Sequence, residues 1–232
     1  MLQNIKELYG DKLAASDGEI GHVKDFYFDD VSWVVRYLVV DTGTWLHERQ
    51  VLLSPHAFGF WDRDRKILPI KLTRKQIEDS PAIDSHRPVS RQNEIDYYGH
   101  YGWPAYWDGG CMWGIAGFPI IDTNPVKSRP HHGHNQRDDV HLRSTKAVVG
   151  YQIQATDGDI GTIRSFMIDD KTWGIAGLVV ETGHWYAGKE VFIRAASIAS
   201  IRYDDSKVLV KLTRAEIEET ASLSVVSIPP EL

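Results

Sequence analysis

The chain has 232 residues, of which 42% are hydrophobic and 25% charged, with a formal net charge of −6. No apolar stretch approaches the roughly 20 residues of a membrane-spanning helix, and the opening MLQNIKELYGDKL has no apolar signal-peptide core, so no membrane span is expected. The acidic balance and the lack of a Lys/Arg run argue against general nucleic-acid binding, and the single cysteine, Cys111, excludes an intramolecular disulfide framework and suits a reducing, cytoplasmic compartment.

Strand and turn signals recur along the chain. Asp17-Gly18 is a hairpin-turn dipeptide, and Gly21 suits a bulge or a close backbone approach. VKDFYFDD follows, alternating with Val23, Phe26 and Phe28 as its apolar positions around a kink, and stops at Asp29-Asp30. RYLVVD is a continuous apolar run of strand length ended by Thr-Gly, and QVLLS and KILPIKLT supply two further strands. Pro69 marks the last of these as an edge or bulge. Thr73 and Gln76, flanked by Leu72 and Ile77, have the spacing of a capping box with its hydrophobic staple, which predicts a short helix.

A shift of 140 residues lays positions 16–80 on 156–220 without a gap, with roughly a third of the residues identical. SDGEIGHVKDFYFDD meets TDGDIGTIRSFMIDD, Trp33 meets Trp173, LVVDTGTW meets LVVETGHW, and KLTRKQIE meets KLTRAEIE. The capping box recurs at Thr213 and Glu216. Two copies predict two similar domains, each a small antiparallel barrel or sandwich of five or six short strands closed by a helix. The Asp pairs 29–30 and 169–170 are read as strand-ending residues whose carboxylates bond the next turn's amides, not as an acid/base pair.

The aromatic stretch DYYGHYGWPAYWDGGCMWG lies in the unrepeated middle. It packs Tyr97, Tyr98, Tyr101, Trp103, Tyr106, Trp107 and Trp113 into a segment whose Gly and Pro fit neither a clean helix nor a long strand. These rings either fix the two domains against each other or form a partner-binding or self-association surface. Without interleaved basic residues they make no base-stacking platform. KSRPHHGHNQRDDVHLR follows. His131, His132, His134 and His141, with Asp138 or Asp139, are weak metal-ligand candidates, because their spacing matches no defined motif. No nucleophile elbow, P-loop, dinucleotide-binding glycine pattern or zincin motif occurs, and Cys111 has no neighbouring base to activate it. No catalytic residue and no cofactor are therefore expected.

The two motifs DG[ED]IG…F..DD…W and LVV[DE]TG.W, in register in both copies, resemble the PRC-barrel family. That small β-barrel occurs in the cytoplasmic part of the photosynthetic reaction-centre H subunit and in ribosome maturation factors of the RimM type. The resemblance spans roughly residues 5–80 and 145–220. It implies a mainly β chain of two tandem small antiparallel barrels, repeat 1 over 1–80 and repeat 2 over 145–232. Each barrel is followed by a short helix, and an aromatic- and His-containing irregular linker over 81–144 joins them. It also implies a docking role: a non-catalytic scaffold or adaptor that binds another protein or itself. Metal or small-ligand binding through the His131–His141 loop, and a ribosome-associated maturation role, are the alternatives.

Overall fold

The computed structural model describes residues 1–43, 45–46, 51–81, 91–107, 113, 119, 142–183 and 188–224. Each repeat forms one sheet around an apolar core. In the first, β2 (Lys12–Ala15), β3 (Gly18–Asp29), β4 (Val34–Asp41), β5 (Val51–Leu53) and β6 (Ile67–Pro69) pair in the order β5-β4-β3-β2-β6. In the second, β8 (Gln152–Ala155), β9 (Gly158–Asp169), β10 (Ile175–Thr182), β11 (Glu190–Arg194), β12 (Ile198–Arg202) and β13 (Lys207–Val210) run in the order β11-β10-β9-β8-β13-β12.

Two features correct the expectation of antiparallel barrels. Among the described residues neither ladder closes on itself: the first ends at β5 and β6, the second at β11 and β12. Each ladder also holds one parallel pair, β2 with β6 and β8 with β13. Alternation along a strand says which residues face the core but not which way the neighbouring strand runs. The chain reverses an even number of times between β2 and β6, so the two meet pointing the same way.

Two short edge strands complete these sheets. β1 (Leu2–Asn4) pairs with β9, and β7 (Leu142–Ser144) pairs with β3. The compact units therefore cut the chain differently from the repeats. Unit 1 comprises Met1, 7–144 and 170–174; unit 2 comprises 2–6, 145–169 and 175–232.

The retained sequence pieces have local structural reasons. Asp29 Oδ1 accepts the Val31 and Ser32 amides at 2.9 and 3.1 Å, so this acid ends its strand and builds the turn. Asp17 and Asp157 do more than turn the chain: each carboxylate accepts the first helical amide of the repeat's closing helix, from Arg74 at 2.7 Å and Arg214 at 2.9 Å. Those helices are α1 (Arg74–Glu78) and α4 (Arg214–Ser224). The α1 capping box forms, with the Thr73 side chain accepting the Gln76 amide and Gln76 accepting the Thr73 amide. Thr213 and Glu216 exchange the same bonds, which hold the Glu216 carboxyl below its ordinary range. Trp33 and Trp173 both sit at positive φ, 55° and 57°, a conformation that bulky residues seldom adopt. Their rings justify it in unit 1: Trp33 packs on Phe28, and Trp173 on Phe26 and Phe58.

The linker is not irregular throughout, contrary to expectation. Arg91–Tyr101 form a helix, α2. Glu94, Tyr97, Tyr98 and Tyr101 stand at i, i+3, i+4 and i+7, which places them on one face. The helix stops at Gly102, whose φ of 69° is left-handed, and the Trp103 amide then donates back to the Tyr98 carbonyl at 3.0 Å. That is the long-range bond of a Schellman cap, accompanied by its apolar contact, Trp103 against Tyr98 with ring centroids 5.7 Å apart. The short α3 (Thr145–Val148) opens the second repeat.

Candidate functional site

Among the described residues, a large side-chain constellation lies in unit 1, where α2 and the residues after it cover β4 and β5. β4 alternates in neither direction: Val34 through Val40 are all buried, as are all three residues of β5. In the second repeat β10 keeps half-buried positions at Ala176, Val179 and Glu181.

Glu94 is fully buried and anchors the cluster. Its Oε1 accepts two phenols, Tyr37 and Tyr106, each at 2.7 Å. Tyr98 shares a hydrogen bond with Ser54 at 3.2 Å. Edge contacts join Tyr37 to Tyr97 and Tyr98, and the buried His56 ring stacks on Trp103 and meets Trp113 and Tyr98 edge-on. The buried Arg36 guanidinium lies 3.8 Å from the Tyr106 ring centre and 4.9 Å from that of Trp113. It also donates to the Ser32 hydroxyl at 3.0 Å and stands 3.5 Å from Asp29. Trp113 donates from its indole nitrogen to the Thr172 carbonyl at 2.6 Å.

The electrostatics follow from burial. At Asp29 burial works against the charge, but bonds from the Ser32 hydroxyl and amide, the Val31 amide and the Arg36 charge outweigh it and hold the carboxyl below its ordinary range. Tyr37 is pushed far up by burial first and the Glu94 charge second. Burial also raises Tyr98, partly offset by its bond to Ser54. Both phenols are thus favoured in their protonated form in the folded state. That stabilisation is complete below the unfolded phenol value of about 10 and is lost as pH climbs toward the raised folded values. Stability should therefore fall above pH 10 by up to about 1.4 kcal/mol per pH unit for each phenol. Urea titrations between pH 9 and 11 check this: the slope should shrink by about half in Tyr37→Phe, and a flat profile in the parent chain contradicts it.

Of the seven rings singled out in the sequence, Tyr97, Tyr98, Trp103, Tyr106 and Trp113 are buried and present little area to a partner. Tyr101 and Trp107 are half-buried at the rim. Tyr101 stacks on Trp103 at 4.3 Å, and Trp107 packs on Tyr98 and Tyr106. His131, His132, His134, His141, Asp138, Asp139 and Cys111 lie outside the described residues. Among the described residues no group of His, Cys, Asp and Glu is placed to hold a metal ion, and no helix is long and apolar enough to cross a membrane.

Sequence reasoning missed Arg36, Tyr37, Ser54, His56 and Glu94. A signal for the first four was present, because the repeat breaks there: the second copy has Ala176, Gly177, Arg194 and Ala196. Departures from the repeat mark the face that α2 covers. Chemically the cluster fixes a helix. It pairs buried charges with phenols and rings.

Residues 144–217 match the family described as PRC-barrel domain. No curated protein matches the chain.

Proposed function

We propose, from the match of residues 144–217 to the PRC-barrel domain family, that the chain is a non-catalytic association module that presents the aromatic rim of unit 1 to another protein. One observation carries the reading: Tyr101 and Trp107 stand half-buried at the edge of the cluster, held by ring contacts to buried neighbours. Rings held this way lose little further freedom on binding, so a partner that covers them gains area at low entropic cost. The docking role implied by the family resemblance points the same way, and the polar core beneath, built on Glu94, holds the rim in place.

Affinity capture from native cells, with the full chain and with a Tyr101→Ala/Trp107→Ala variant, tests the reading. The variant should lose at least one partner that the parent retains while its circular dichroism and unfolding transition stay cooperative. An unchanged partner set, or a loss that only parallels unfolding, overturns it.

A further inference from the structure

Each sheet is finished by a strand from outside its own repeat. β1 lies antiparallel on β9, with Leu2 opposite Asp169, Gln3 opposite Ile168 and Asn4 opposite Met167. β7 lies antiparallel on β3, with Leu142 opposite Asp29, Arg143 opposite Phe28 and Ser144 opposite Tyr27. Every pair is displaced from its counterpart by the same 140 residues that separate the repeats. Two equivalent edges thus hold two equivalent arms in one register.

A side-chain contact repeats with them. The Ser165 hydroxyl donates to the Asn4 side-chain oxygen, and the Ser144 hydroxyl donates to the Asp25 carboxylate. A hydroxyl meets an sp² oxygen both times, but the arm accepts in one case and donates in the other. Asn4 in place of Ser144, and Asp25 in place of Ser165, are therefore matched changes. They suit the first arm to the second repeat and the second arm to the first.

We propose that the β9 edge at Met167–Asp169 is a self-association site whose partner is the β1 arm of a second copy of this chain, taken in exchange for the chain's own arm. The inference goes beyond the aromatic-rim reading and involves neither Tyr101 nor Trp107. Strand addition at a sheet edge supplies the affinity through main-chain bonds, and the Asn4–Ser165 contact supplies the register. Exchange replaces each contact by an identical one, so it costs no interaction. Which copy's arm fills the edge is then set by the concentration of other chains against the effective concentration of the chain's own arm. The arm's ladder spans only Leu2–Asn4, and its release also unpacks the buried Gln3 and Ile5.

The test uses three full-length variants in a Cys111→Ser background. Leu2→Cys and Asp169→Cys change residues that face each other across the ladder, a separation compatible with a disulfide. The double variant, oxidised when dilute, should cross-link within one chain. The two single variants, refolded together and then oxidised, should give a disulfide-linked pair at twice the chain mass. Its yield should rise several-fold between micromolar and near-millimolar protein. Single variants that stay monomeric at every concentration, while the double variant cross-links fully, overturn the proposal. A double variant that fails to cross-link also overturns it, because the pairing is then absent.

Discussion

Glu94→Ala should cost unit 1 about 3–5 kcal/mol, the range for removing one member of a buried charged network. The change takes the common acceptor from Tyr37 and Tyr106 and leaves a cavity beneath α2. Each buried donor deprived of its acceptor costs about 1–3 kcal/mol, so two phenols alone account for most of the loss. In a unit of this size the midpoint of thermal unfolding should drop by roughly 8–15 °C. Tryptophan fluorescence follows it well, since every tryptophan except Trp185 falls in the residue ranges of unit 1. Glu94→Gln keeps an oxygen at the same place and should recover about half of the loss. The triple variant Glu94→Leu/Tyr37→Phe/Tyr106→Phe removes donors and acceptor together and should recover more. A cost below about 1 kcal/mol for Glu94→Ala would show that the phenols find other acceptors and that the network does not hold the helix.

Much of this architecture could be read from the sequence, and the reason differs from residue to residue. The repeat exposed the local devices because both copies need them. Asp17 and Asp157 cap a helix, Asp29 closes a turn, and Thr73 and Thr213 start capping boxes. Such devices depend on neighbours in sequence, or on one contact that recurs in each copy. Non-local features were less legible. The parallel β2–β6 pair depends on chain direction, which alternation does not encode. The β1 and β7 strands are only three residues long, too short for any periodicity, and each pairs outside its own repeat. Helix α2 was obscured because Tyr, Gly and His are weak helix formers, yet the Glu94-Tyr97-Tyr98-Tyr101 spacing and Gly102 were there to read. The aromatic residues drew attention as a possible surface, whereas burial of Arg36, His56 and Glu94 turned most of them into an interior. The polar residues at the centre of the cluster come from three separate stretches of chain, and only the fold brings them together.

Gly161→Ala should destabilise unit 2 by about 3 kcal/mol or more, beyond the usual cost of overpacking. The sequence signal was the Ile-Gly dipeptide kept in both copies, and the structure explains it as a close crossing of two strands. A Cβ at Gly161 would lie 1.9 Å from the Glu181 carbonyl oxygen, and one at Gly21 would lie 2.0 Å from that of Asp41. Both obstacles are main chain, so no rotamer change relieves them. Strand β9 would have to move off β10 where Gly161 faces Thr182. Gly161 is the cleaner test of the two, because Gly21 also has a φ of 130° that would penalise any side chain. Thermal unfolding followed by far-ultraviolet circular dichroism should show the unit 2 transition lowered by roughly 12 °C or more for a unit of under 100 residues. Gly183→Ala is the control. Its Cβ would have only the Ile160 carbonyl oxygen nearby, at 3.9 Å, and the change should stay within about 0.5 kcal/mol. If the two variants unfold at the same temperature, close strand crossing is not what keeps glycine at this position in both repeats.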